Sequence, residues 1–160
     1  MKKLTFTGLA LLSLLFTACL KTDENCCTVP YQPYFVAEKN GLQVQAYPGV
    51  TKVGTDSIAV LGSSGEAGIR MNIKFKGKGV YALTGNQAKY YQNIVRDTVS
   101  RYNIGLPNAS SLEVTDYDSV NKVIAGKFTL RFKRTFPVTS STYADSVKFT
   151  KGQFSIYLPR

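Results

Sequence analysis

The sequence predicts an all-β domain: an antiparallel β-sandwich of about nine or ten short strands, with a partly open β-barrel as the alternative. Three observations lead there. Apolar and polar residues alternate with period two, turn signals recur at short intervals, and no stretch carries a convincing helical period. Ile69, Met71, Ile73 and Phe75 alternate with Arg70, Asn72, Lys74 and Lys76, and Phe128, Leu130 and Phe132 alternate with Lys127, Thr129, Arg131 and Lys133. Because successive strand side chains point to opposite faces, each run buries one face and wets the other, as half-buried antiparallel strands do.

The chain opens differently. Met1, Lys2 and Lys3 precede an apolar run from Leu4 to Phe16, too short for the roughly 20 residues that span a bilayer and suited to a secretory signal. The run closes in Leu15-Phe16-Thr17-Ala18-Cys19, which resembles the lipobox cut by lipoprotein signal peptidase, with Phe16 departing from the preferred Leu. The resemblance implies that residues 1–18 are removed and that Cys19 becomes the acylated first residue, palmitate being among its acyl groups. At about 0.8 kcal/mol per buried methylene, two or more chains anchor a protein stably. The alternative is a secreted protein cut after Ala18.

Residues 19–32 read as a flexible tether. Lys21-Thr22-Asp23-Glu24 resembles the charged stretch that follows the lipidated cysteine in surface-exported lipoproteins of Bacteroidota, which implies display on the cell surface; an ordinary linker would leave the domain on the periplasmic face. Cys26 and Cys27 follow Asn25 rather than an apolar run. Adjacent Cα atoms about 3.8 Å apart also fall short of the roughly 4.4–6.8 Å of a disulfide. They read as tether thiols or as an intermolecular bridge.

From residue 33 to 160 one domain is expected. Asn40-Gly41, between Phe35-Val36-Ala37 and Leu42-Gln43-Val44, is a strong hairpin signal. Strands follow at 57–62, 69–75, 79–83, 87–95, 99–104, 111–117 and 122–133, and a last hairpin pairs 146–150 with 153–158 around Lys151-Gly152. Residues 62–65 and 77–79 read as glycine loops. The weakest strand pattern is 94–102, where a helical turn competes.

The C-terminal half carries Ser111-Leu112-Glu113-Val114-Thr115, then Asp118-Ser119-Val120-Asn121-Lys122, Ile124-Ala125-Gly126-Lys127-Phe128 and a closing Lys151-Gly152-Gln153-Phe154. With Gly79-Val80-Tyr81, this resembles small Bacteroidota lipoproteins of an uncharacterised all-β domain family, whose Trp after the first turn is missing here. The resemblance implies no catalytic residue.

The absence of histidine removes Ser-His-Asp and Cys-His catalysis and His-based metal sites. Ser119-Val120-Asn121-Lys122 has the Ser-x-x-Lys spacing of penicillin-recognising enzymes but sits in a turn without their companion motifs. Asp116, Asp118 and Asn121 offer too few oxygens for calcium, which takes six to eight; they suit a turn. No enzyme activity, metal or cofactor is expected.

Four of the six aspartates begin Asp-Ser/Thr-aliphatic triplets: Asp56-Ser57-Ile58, Asp97-Thr98-Val99, Asp118-Ser119-Val120 and Asp145-Ser146-Val147. These resemble the acceptor of the Bacteroidota O-glycosylation system, which would modify Ser57, Thr98, Ser119 and Ser146; equally, Asp ends loops and Ser-Val begins strands. The net charge is +10, and loss of Lys2 and Lys3 leaves 18 basic against 10 acidic residues, or +8. That favours anionic partners. Lys74, Lys76 and Lys78 with Lys127, Arg131 and Lys133 would form a basic face if their strands were neighbours. Tyr90-Tyr91 beside Lys89 superficially resembles a base-stacking platform, but an export signal argues against nucleic acid. The expectation is a non-catalytic, lipid-anchored binding or accessory module that contacts the membrane through its lipid and an acidic glycan or envelope protein through its domain. A structural part in an envelope complex is the alternative.

Overall fold

Asn40 and Gly41 both adopt left-handed backbone, at φ of 50° and 88°, the two-residue turn that matches strand twist. They join β1 (Tyr34–Lys39) to β2 (Leu42–Lys52). The computed structural model describes residues 31–106 and 108–159, and from Gln32 onward these form one compact unit. Then come β3 (Ser57–Ser64), β4 (Ala67–Lys74), β5 (Gly79–Ala82), β6 (Ala88–Ile94), β7 (Asp97–Ile104), β8 (Ser111–Asp118), β9 (Val123–Phe136) and β10 (Ser146–Tyr157). A short 3-10 turn, Gly85–Gln87, precedes β6, with the Gln87 side chain accepting the Thr84 N–H at 3.0 Å.

All ten strands among the described residues are antiparallel. The order β1-β2-β3-β4-β6-β7-β9-β10 returns to β1, because β10 pairs with both β9 and β1. Of the two architectures the alternation allows, the chain therefore adopts the barrel, not two packed sheets. Eight strands make its wall, and β8 and β5 extend from it. The branch is possible because β9 is long: β8 pairs with it from Val123 to Thr129, β7 from Phe132 to Phe136, and β10 runs along its other edge. Register shifts that place an extra residue in β7, β8, β9 and β10 add the local bend and twist that closure needs.

Two local expectations are corrected, and one open choice is decided for strand. The span from Ser146 to Tyr157 is one strand with a bulge, not a hairpin. Lys151 takes the left-handed backbone, at φ 50°, while Gly152 lies under the Phe128 ring, where a Cβ would collide. The Lys-Gly signal marks close packing rather than reversal. Similarly, Gly62 to Ser64 belong to β3 and only Gly65 reaches the turn; Gly62 makes room for Phe35. Residues 94–97 form the tight turn of the β6–β7 hairpin, with no helix.

Inside, Phe35, Val60, Met71, Tyr102, Phe132 and Phe154 are fully buried. Tyr90 packs 5.2 Å from Phe149 and 5.3 Å from Tyr102 between ring centroids. Each such side chain contributes about 1.5–3 kcal/mol by leaving water. An apolar interior and a wet, charged outer wall reverse the polarity of a barrel that spans lipid.

The barrel has two unlike ends. The turns at 40–41, 65–66 and 95–96 and the 137–145 connection share one end, here the mouth. At the other, the base, the described chain begins and ends, and the long connections containing β5 and β8 cross. Leu83, Leu112 and Val114 from those connections join the core with no more than 1 % exposure. Leu83 N–H donates to the Ser110 carbonyl and Ser110 Oγ accepts the Arg131 N–H, fastening them to β9.

Candidate functional site

Alternation along β1 directs Phe35, Ala37 and then Lys39 to the inside, so a lysine ends an apolar stripe at the mouth. Its ammonium donates to the Tyr90 phenol oxygen at 2.7 Å and lies 5.0 Å from that ring's centroid. Beside it opens a cleft of about 110 Å³, walled by Phe35, Val44, Ala46, Ile69 and Phe149 and edged by Ser64. Gly62 lines it too, and its missing side chain leaves the space that Phe35 occupies. A second inward cation, Arg134, stands opposite Tyr102; its side chain is 4 % exposed and its Nη2 pairs with Asp145, while Nε and Nη1 have no hydrogen-bond partner. Sequence reasoning passed over Lys39 and Arg134. The signal was present, since both continue the inner phase of a strand whose other members are apolar.

The outer wall rearranges the predicted basic face. Strands β4 and β9 are separated by β6 and β7, so Lys74 is not a neighbour of Lys127, Arg131 or Lys133. Lys76 and Lys78 lie in the loop before β5, and Lys78 pairs with Asp116 at 2.7 Å. Glu113 stands opposite Lys127. The six residues therefore do not merge into one face, because acidic residues of β8 interrupt them. What remains continuous is a belt across β9 and β10, where Arg131 faces Lys148 directly and Lys133 faces Ser146. Lys148 was missed, although Val147 and Phe149 on either side mark it as outward. Lys151, farther along, is held by Glu38 at 2.8 Å.

The turn residues spend their oxygens locally. Asp118 Oδ1 accepts the Val120 and Asn121 N–H groups at 2.9 Å each, and Oδ2 accepts the Asn121 amide at 2.6 Å. The Asn121 N–H foremost holds the Asp118 carboxyl below the usual range. Hydrogen bonding from Lys78, then its charge, does the same for Asp116. Ser119 and Lys122 are exposed in this turn. Of the predicted acceptors, Ser119 and Ser146 are exposed and Ser57 is half-buried at the start of β3. Thr98 is also half-buried, with its hydroxyl donating to Asn93 at 2.9 Å. Tyr90 points inward and Tyr91 outward over Gly68, so the two rings form no common platform. Cys19, Cys26, Cys27 and the Lys21–Glu24 stretch lie outside the described residues.

Apolar side chains crowd the mouth's rim. Leu42, Ile94, Val95, Phe136 and Val138 are all exposed, Val95 and Val138 by more than four-fifths. Val95 adopts φ 57°, a conformation that costs a β-branched residue dearly. No family model, curated protein or solved structure matches the chain.

Proposed function

We propose that the chain is a non-catalytic binding module, held on the outer membrane by a lipid on Cys19 and displayed at the cell surface, where its outer wall captures an anionic partner such as an acidic glycan. The observation that carries this reading is Arg131 directly opposite Lys148, since like charges facing across strands oppose folding. An anionic partner converts that repulsion into attraction. The net charge points the same way. β1 starts at the base, the end away from the rim. The resemblance to small Bacteroidota lipoproteins supports the envelope setting.

Retention on heparin, used as a model acidic glycan, tests the reading. Binding should weaken steeply with salt and fall at least tenfold in the Arg131→Gln/Lys148→Gln double variant; retention unchanged by that variant overturns it. Protease shaving of intact host cells tests the placement, with loss of the domain and survival of a periplasmic control expected. A second reading, a structural part in an envelope protein complex, is favoured by the exposed Leu42, Val95 and Val138. Salt-insensitive co-purification with an envelope protein would support that instead.

A further inference from the structure

Lys39 is a half-buried cation that no acid among the described residues neutralises. The ion pairs among the described residues are Lys78 with Asp116, Arg134 with Asp145 and Lys151 with Glu38, and Lys39 has only the Tyr90 phenol and ring. Tyr90 is itself 2 % exposed. Its oxygen accepts from Lys39, which leaves the phenol proton to donate. A carboxylate oxygen at the rim can thus receive both an ammonium N–H and a phenol O–H, the charge-assisted arrangement that binds such groups most strongly.

The rest of the cleft selects against a bare inorganic anion. Phe35, Ala46 and Ile69 offer only carbon, and β1 places Phe35 four residues deeper than Lys39, about 13 Å along the strand. The charge sits at the edge and the apolar wall below it. A cavity of about 150 Å³ accommodates benzene, so 110 Å³ takes a slightly smaller group with the remainder reaching into the open mouth. We infer that the barrel mouth is a binding site for a small monocarboxylate with a short aliphatic or aromatic tail, its carboxylate on Lys39 and Tyr90 and its tail against Phe35, Ala46 and Ile69. This site is separate from the β9–β10 belt and does not depend on its role.

Titration of residues 32–160, which close their own core, with hexanoate, hexanol and hexylammonium by calorimetry tests the inference. Hexanoate should bind saturably, hexanol at least tenfold more weakly, and hexylammonium not at all. Lys39→Met should lower hexanoate affinity at least tenfold and Tyr90→Phe severalfold. Ala46→Leu, which fills the cleft and leaves the cation, should lower hexanoate and hexanol affinity alike. Equal affinity for hexanoate and hexanol, no saturable hexanoate binding, or binding indifferent to both Lys39→Met and Ala46→Leu overturns the proposal. The comparison of the three ligands on the unaltered domain decides even where a variant fails to fold.

Discussion

The base and the mouth of this barrel are made by the same eight strands and have opposite characters. At the base, two extra strands bring Leu112 and Val114 under cover and complete the core. At the mouth, tight turns leave Lys39 and Arg134 pointing inward and Leu42, Val95 and Val138 pointing out. At the base, the side chains that β8 turns inward leave water completely, although Val80 and Val120 stay exposed on its outside. The mouth breaks that pattern repeatedly within a few residues. Departures of that kind are expected where a surface serves contact rather than folding.

The sharpest way to break this contrast is to truncate one leucine at each end. Leu112→Ala removes a side chain with no exposure and should cost about 3 kcal/mol, read as a fall in the urea midpoint. Leu42, 74 % exposed, should lose no more than about 0.5 kcal/mol as alanine. Comparable losses would mean that the mouth is packed as tightly as the base.

A smaller contrast comes from adding one methyl group at each end. At Gly126 a Cβ would collide with the Glu113 carbonyl oxygen and the Phe154 ring. The carbonyl belongs to a paired strand and cannot step aside, so Gly126→Ala should cost about 3 kcal/mol. At Gly62 the Cβ would meet only the Phe35 ring, at 2.6 Å. That ring borders the cleft and has somewhere to move, so Gly62→Ala should cost about 1 kcal/mol. If thermal unfolding ranks the two alanines equally, the cleft does not relieve strain.

Val95 tests whether the mouth trades stability for contact. In a tight hairpin turn its left-handed backbone suits Asn or Gly, yet the position holds an exposed valine. Val95→Asn should therefore stabilise the domain by about 0.5–1 kcal/mol. Destabilisation would show that the valine packs against the rim and that its strain is offset there.

These two ends also divide what the sequence made legible. Alternation identified most strands of the wall, including the outward lysines, because period two is a local property of each strand. The branch at β9 was hidden, because which strands meet its two halves depends on long-range register. For the same reason Lys74 and Arg131 seemed possible neighbours, and Asp116 and Glu113 were not recognised as the acids that interrupt them. The bulge at Lys151 imitated a turn because left-handed backbone next to glycine serves both. Lys39 was legible in principle from the phase of Phe35 and Ala37, but a charged residue beside Asn40-Gly41 reads naturally as part of a turn. Closure of the barrel brings it against Tyr90 on a strand far away in sequence, which no local pattern announces.

Acid provides the smallest and most local test, confined to the base. Asp118 gathers the N–H groups of Asn121 and Val120 in the turn between β8 and β9, and Asp116 holds Lys78 beside β5. Both carboxyl groups titrate below their ordinary range in the folded domain. The folded state therefore binds fewer protons than the unfolded one as pH approaches that range, so the stability they contribute is fully present above about pH 4 and is lost as pH falls through the folded values. Both groups are exposed, and the effect is correspondingly slight. Asp118→Ala should be less stable than the unaltered domain at neutral pH, and the gap in urea midpoint should shrink toward zero as the pH falls below about 4. Amide exchange at Val120 and Asn121 should quicken over the same interval. A gap that stays constant with pH would mean that the aspartate acts through its shape in the turn rather than its charge, and the base would then owe nothing to ionisation.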